Sequence, residues 1–70
     1  MSKIYRHIRR STMYEVITDN GEISTNGPSE GQRVVVYRSL TDQKVYVRSY
    51  SEFMDGRFEL VLDTEKNKQS

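Results

Sequence analysis

The stretch SEFMDGRFELVL, residues 51–62, decides the fold class of this chain. Its first half predicts a single helical turn. Ser51 can cap that turn, Glu52 lies early in it where the helix dipole favours a carboxylate, and Gly56 can end it. A strand-like run follows at once. The stretch therefore predicts one turn of helix leading into a strand.

The run RFELVL, residues 57–62, predicts the last strand, with Phe58, Leu60 and Leu62 on one face. We expect Phe53 on the helical turn and Phe58 on the strand to point inwards together. Each buried phenylalanine contributes about 1.5–3 kcal/mol, which is a large share of the stability of so small a domain. The two rings are therefore predicted to close one end of the core.

Four earlier segments also predict strands, because they are rich in β-branched and aromatic residues. They are KIYRHI (3–8), MYEVIT (13–18), RVVVYRSL (33–40) and KVYVRSY (44–50). The third of these is apolar at successive positions, which is typical of an interior strand covered on both faces. The second and third are separated by a long polar segment. Within it, Asn20-Gly21 favours a type I′ hairpin turn before EIST, and residues 26–31 predict an exposed loop.

This arrangement predicts an all-β protein, a small five- to six-stranded SH3-like barrel with one helical turn before the last strand. A curled antiparallel sheet of another topology is the alternative. Residues 1–62 are expected to form one domain. Residues 63–70, DTEKNKQS, have nothing to bury and are expected to be a disordered C-terminal tail.

The composition narrows the cellular setting. The 70 residues include no cysteine, which excludes disulfides and thiolate metal sites and fits a reducing cytosol. No apolar run approaches the roughly 20 residues that span a bilayer, and the N-terminus lacks the apolar segment of a signal peptide. We expect a soluble cytoplasmic domain that does not associate with membranes.

Charge is unevenly distributed although the net charge is only +1. Residues 1–48 hold eight Lys/Arg against five Asp/Glu, and residues 49–70 hold three against five. This polarity can attract an anionic partner. Solubility alone would also account for it, because charged side chains belong on the surface.

Tyrosines and arginines alternate along the predicted strands. If Ile4 and Ile8 face the core, the opposite face of the first strand presents its tyrosine and histidine. Such a mixture suits base stacking combined with phosphate neutralisation. The predicted ligand-binding residues are Tyr5, Arg6, His7, Tyr37, Arg38, Tyr46 and Arg48. The alternative is that the tyrosines half-bury against one another as cross-strand pairs.

Nothing in the sequence indicates catalysis. His7 is the single histidine, with no cysteine to activate and no carboxylate at an informative spacing. No spacing of carboxylates around it suggests a metal site, and no glycine-rich phosphate loop is present. We expect no enzymatic activity, no metal and no cofactor.

The blocks YRH (5–7), YEV (14–16), VVYR (35–38), VR (47–48) and EFMDGRFE (52–59) resemble a family of small bacterial and phage proteins, domain-of-unknown-function family 1653. The resemblance covers residues 4–61. This chain departs from the family pattern in having STM where members often have Gly-Thr, and Val45-Tyr46 where many have an aromatic residue such as tryptophan. The resemblance implies the fold and a phage or bacterial setting, but no established activity.

Three hypotheses of function follow from these residues, and the last of them is a weak or cryptic enzyme. The first is a binding module for a nucleotide-like or nucleic-acid anion. The second is a protein-interaction module or an inhibitor of a host protein, which would use the loop at residues 20–31 and a strand edge. Exposed strand edges would also make a dimer easy to form.

Overall fold

A computed structural model describes residues 3–63. They form a single five-stranded sheet and one short helix. The elements are β1 (Lys3–His7), β2 (Thr12–Glu22), β3 (Arg33–Ser39), β4 (Val45–Ser49), α1 (Tyr50–Phe53) and β5 (Phe58–Asp63). All neighbouring strands are antiparallel, in the order β4-β3-β2-β1-β5. The predicted all-β class is therefore confirmed.

The sheet is open in the part of the chain that the structure describes. Strands β4 and β5 are its two edges and are not hydrogen-bonded to each other. Helix α1 joins these edges, as the sequence predicted for a helical turn before the last strand. No helix among residues 3–63 is long and apolar enough to cross a membrane.

The core lies on the face of the sheet that carries most of the aromatic rings. Its buried members are Tyr14, Val35, Tyr37, Phe53 and Phe58, with Tyr5, Val16 and Tyr50 packed against them. The rings of Phe53 and Phe58 stack with centroids 4.2 Å apart, and the two residues are 0% and 8% exposed. The prediction that both rings belong to the core is confirmed.

The expected orientation of β1 was wrong. Tyr5 lies directly opposite Tyr14 in the β1–β2 ladder, so both share the core face. Ile8 follows the strand in a turn and is 52% exposed. Because the strand alternates two sets of partly apolar residues, its sequence does not decide which set faces inwards; the rings on the neighbouring strands do.

The predicted hairpin turn at Asn20-Gly21 was also wrong. Strand β2 continues through both residues, and Gly21 lies opposite Val34 of β3. A Cβ atom at Gly21 would meet the Val34 side chain at 3.0 Å, so glycine permits the close approach of the strands here. The chain reverses later, where Gly31 donates its backbone N–H to the carbonyl of Ile23 at 2.8 Å.

The last strand and the helix differ from prediction in detail. Ser49, not Ser51, caps α1 by accepting a hydrogen bond from the Glu52 backbone at 3.2 Å. The helix ends before Gly56, which has φ +108° in the following turn. A register shift in the β1–β5 ladder accompanies exposure of Leu60 and Leu62 (45% and 48%), so only Phe58 of the predicted apolar face is buried.

The predicted boundary between domain and tail falls at the end of β5. Asp63, which was assigned to the tail, is the last residue of that strand. Residues 64–70, the remainder of the predicted tail, lie outside the described residues.

Candidate functional site

The turn between β1 and β2 brings three arginines to one end of the sheet. Ser11 closes this turn by donating its backbone N–H to the carbonyl of His7 at 2.7 Å, and adopts φ +59°. Ile8 donates to the carbonyl of Arg57 at 3.0 Å, which ties the turn to the residue before β5. The chain thus places Arg9 and Arg10 beside Arg57, which is 47 positions away from Arg10 in the sequence.

A fourth arginine reaches the same end from β4. The Nε of Arg48 donates a hydrogen bond to the hydroxyl of Tyr37 at 3.3 Å. Its guanidinium carbon lies 5.8 Å from the centroid of the Phe58 ring, within cation–π distance. The hydrogen bond with Tyr37 raises the pKa of Arg48 above its ordinary value. The group is therefore held in place as a permanent cation.

Three tyrosine rings stand next to Arg48, one from each of β2, β3 and β4. The ring centroid of Tyr37 is 5.3 Å from that of Tyr14 and 5.8 Å from that of Tyr46. Tyr14 and Tyr37 are buried, at 7% and 4% exposure, whereas Tyr46 is 39% exposed. Tyr46 is therefore the most exposed of the three, and its ring lies beside rings that belong to the core.

Two adjoining cavities open at this end of the sheet. The larger, of about 570 Å³, we call the arginine cavity; it is lined by His7, Ile8, Arg9, Arg10, Arg48, Gly56 and Arg57. The smaller, of about 160 Å³, we call the aromatic pocket; it is lined by His7, Arg10, Tyr14, Tyr37, Tyr46, Arg48 and Phe58. His7, Arg10 and Arg48 line both, and together the two cavities form the basic-aromatic cleft.

His7 lies at the junction of the two cavities. Its ring packs edge-on against Phe58, with centroids 4.9 Å apart, and its Nδ1 accepts a hydrogen bond from the Arg10 backbone N–H at 3.3 Å. Burial is the first cause that lowers the pKa of His7 from its ordinary 6.5, and the neighbouring cations lower it further. These cations are Arg10, Arg48, Arg57 and Arg9. The imidazole is therefore neutral at pH 7 in the free protein.

The cations of the cleft differ in how far they are already neutralised. Arg57 forms an ion pair with Asp55, with Nε 3.1 Å from Oδ2. Among residues 3–63, Arg9 and Arg10 take part in no ion pair. Arg48 is bonded to a neutral hydroxyl. The cleft thus holds an excess of positive charge.

Comparison with known proteins assigns the chain to a family. A family model described as "Protein of unknown function (DUF1653)" matches residues 3–68 of the 70. The chain belongs to the DUF1653 family. No curated protein and no solved structure matches it. The DUF1653 match includes every residue of the basic-aromatic cleft, and it confirms the family resemblance inferred from the sequence blocks.

Four of the seven predicted ligand-binding residues meet in the cleft of this DUF1653 protein. They are His7, Tyr37, Tyr46 and Arg48. The other three lie elsewhere. Tyr5 packs its ring against Phe53, with centroids 4.9 Å apart, and burial raises its pKa.

Arg6 and Arg38 lie on the face of the sheet opposite the cleft. They alternate along their strands with His7 and Tyr37, so their side chains point the other way. Arg6 forms an ion pair with Glu59, and the Nη2 of Arg38 lies 2.5 Å from a carboxylate oxygen of Glu15. Each is already paired with an acid of a neighbouring strand.

Sequence reasoning missed seven residues of the cleft. They are Ile8, Arg9, Arg10, Tyr14, Gly56, Arg57 and Phe58. Arg9 and Arg10 stood out as basic but lay outside any predicted strand. The available signal was their place in the middle of a tight β1–β2 turn. Such a turn lies beside the ends of the strands that pair with β1. Arg57 had no local signal.

Proposed function

We propose that this protein is a small non-enzymatic binding module that recognises an anionic nucleotide-like or nucleic-acid ligand in the basic-aromatic cleft. One observation carries the proposal. A cavity lined by four arginines opens directly into a pocket walled by tyrosine rings, and the two share His7, Arg10 and Arg48.

The charge of the cleft favours an anion. Four guanidinium groups line the arginine cavity, and the only acid paired with any of them by an ion pair among residues 3–63 is Asp55. Like charges gathered in a concave site raise the local potential and attract anions. Guanidinium groups also match phosphate oxygens in bidentate geometry.

The rings beside these cations favour a base. Tyr46 is 39% exposed, and its ring lies beside the buried rings of Tyr14 and Tyr37. Stacking on an exposed aromatic ring is how proteins hold unpaired bases, while arginines neutralise the attached phosphates. Neither feature alone would favour a nucleotide over a simple anion or an apolar ligand.

The lining of the cleft favours binding over catalysis. No carboxylate lines either cavity in the described part of the chain. The Nδ1 of His7 already accepts a hydrogen bond from the Arg10 backbone N–H, so this nitrogen is not free to accept a proton from a ligand. General acid–base catalysis needs a proton acceptor that a second group orients. His7 is the single histidine and stands among arginines, so it is better suited to contact a phosphate than to take a proton.

We further propose that the sheet is a partly open form of an SH3-like barrel. Helix α1 connects the two edge strands, and the stacked pair Phe53 and Phe58 fills the space near their junction. We place the protein in the cytoplasm of a bacterium or a phage-infected cell, a setting that the absence of cysteine supports.

The test is a titration of the purified protein with ADP and with an eight-nucleotide single-stranded DNA, at 50 and 300 mM salt. We expect binding that weakens with salt, because phosphate contacts release counterions. Arg10→Gln/Arg48→Gln should abolish it. The matched control is Arg6→Gln/Arg38→Gln, which removes the same charge from the opposite face. An equal loss of affinity in both double variants would show that binding depends on net charge alone. It would contradict specific binding in the cleft.

A protein partner is the second candidate, and one surface favours it. Val45 and Val47 on the edge strand β4 are 56% and 60% exposed, and an open edge can accept a strand from another protein. Binding at that edge would weaken little with salt. It would survive the Arg10→Gln/Arg48→Gln double substitution and be lost on Val47→Lys.

A further inference from the structure

We infer that the cleft takes a terminal nucleotide end-on, with its base in the aromatic pocket and its phosphates in the arginine cavity. The ligand class is therefore a free nucleoside diphosphate or triphosphate, or the phosphorylated end of a strand, and not the interior of a polynucleotide. This inference rests on the proposed function and specifies the ligand of the same site.

The aromatic pocket is blind. Tyr14, Tyr37 and Phe58, which line it, are all less than 10% exposed and belong to the core. Its volume is about 160 Å³. One planar heterocycle fits that space beside Tyr46, and a chain that enters has no exit through the floor.

The two cavities share two of the four cations. Arg10 and Arg48 line both cavities, whereas Arg9 and Arg57 line only the arginine cavity. A phosphate attached directly to the nucleoside would lie at the junction with Arg10, Arg48 and His7. Only a second or third phosphate would extend far enough to meet Arg9 and Arg57.

An interior nucleotide of a strand fits this layout poorly. It carries a phosphate on both its 5′ and 3′ sides, and both need neutralisation. Among the described residues, the lining of the aromatic pocket holds no arginine or lysine besides Arg10 and Arg48. A terminal nucleotide carries its phosphates on one side only, and the arginine cavity adjoins the pocket through His7, Arg10 and Arg48.

The first experiment compares ligands that differ in one part. Calorimetry would measure ADP, GDP, CDP and UDP against AMP, adenosine, ribose 5-phosphate and pyrophosphate, all without divalent metal. We expect at least one nucleoside diphosphate to bind about tenfold more tightly than pyrophosphate, because the base adds stacking. A linear 5′-phosphorylated oligonucleotide should bind, and a covalently circular one of the same sequence should not.

Two substitutions separate the parts of the site. Tyr46→Leu should weaken the nucleoside diphosphate about tenfold and leave pyrophosphate unchanged. Val47→Ala, on the other face of the same strand, is the matched control and should change neither. Arg9→Gln/Arg57→Gln should weaken the diphosphate more than the monophosphate.

The outcomes distinguish this inference from the function on which it rests. If pyrophosphate binds as tightly as every nucleotide, or if the circular and linear oligonucleotides bind equally, end-on base recognition is wrong and anion binding stands. If none of these phosphates binds the wild-type protein, both the inference and the proposed function are wrong. Tighter diphosphate binding that depends on Tyr46 supports both.

Discussion

The hydroxyl of Tyr37, whose ring lies in the core, accepts a hydrogen bond from the Nε of Arg48 at 3.3 Å. A buried residue therefore sets the position of a cation in the cleft. Tyr37→Phe removes this acceptor and leaves the charge unchanged. We expect nucleotide binding to weaken roughly two- to tenfold, the equivalent of one hydrogen bond of about 0.5–1.5 kcal/mol. Its salt dependence should stay the same, because no charge is lost.

Tyr14→Phe is the matched control for that prediction. Tyr14 lines the same pocket, but its hydroxyl accepts from Thr12 Oγ1 at 3.0 Å and not from an arginine. It should leave nucleotide affinity within about twofold, since Arg48 keeps its partner. If both variants lose affinity equally, the hydroxyls themselves contact the ligand and the positioning of Arg48 is not the cause.

The cap of α1 can be tested by two serine substitutions. Ser49→Ala removes the side-chain acceptor for the Glu52 backbone N–H and should cost about 0.5–2 kcal/mol of unfolding free energy. Ser51→Ala, two positions later and exposed, should change stability by less than about 0.5 kcal/mol. Urea denaturation of both variants measures the difference. A larger loss at Ser51 would restore the cap that the sequence favoured.

The stacked phenylalanines should dominate the stability of the domain. Phe53→Ala removes a fully buried ring and should cost about 3–5 kcal/mol, enough to unfold a domain of this size. Met54→Ala is a control at the next position, where the side chain is 41% exposed. That variant should retain a cooperative melting transition near that of the wild type.

The strands and the phenylalanine pair were predictable because their signals are local. Apolar blocks of β-branched and aromatic residues mark strands wherever they lie. Phe53 and Phe58 are the two phenylalanines of the chain and flank one turn, so both were expected to point inwards together. The Gly21 position was not predictable in this way, because the turn propensity of Asn-Gly gave way to a ladder with Val34 that only the folded sheet supplies.

The cleft was predictable only in part because it combines distant residues. His7, Tyr37, Tyr46 and Arg48 share a face by simple alternation along their strands. Arg57 joins them through a backbone hydrogen bond from Ile8, a contact that no local pattern encodes. Arg38, which the sequence also proposed for ligand binding, lies on the opposite face, because neighbouring residues of a strand face opposite ways.

His7 should make stability depend on pH. Burial and the neighbouring arginines hold the pKa of His7 below its ordinary 6.5 in the folded protein, so the unfolded chain binds the proton more readily. The contribution of His7 to stability is therefore fully present above about pH 6.5. It is lost as the pH falls from there through the pKa of His7 in the folded protein. Thermal melts between pH 7.5 and 5.5 measure this loss.

The control for this pH effect is His7→Gln, which removes the single histidine. The melting temperature of that variant should vary less over the same range. An unchanged pH dependence would assign the effect to carboxylates instead of His7.

Asp55 should weaken anion binding, because its carboxylate forms an ion pair with Arg57, which lines the arginine cavity. Asp55→Asn keeps an oxygen that can accept the hydrogen bond from the Arg57 backbone N–H and removes the charge. We expect the affinity for pyrophosphate to rise roughly two- to fivefold at 50 mM salt, which corresponds to the free energy of one exposed ion pair. At 300 mM salt the gain should shrink, because exposed charges are screened.

The matched control is Glu59→Gln, which frees Arg6 on the opposite face and makes the same change in net charge. Calorimetric titration with pyrophosphate at both salt concentrations compares the two variants. If only Asp55→Asn binds more tightly, the gain comes from a freed guanidinium inside the cleft. An equal gain in both would show that pyrophosphate affinity depends on overall charge. The proposal that the arginine cavity is the binding site would then be wrong.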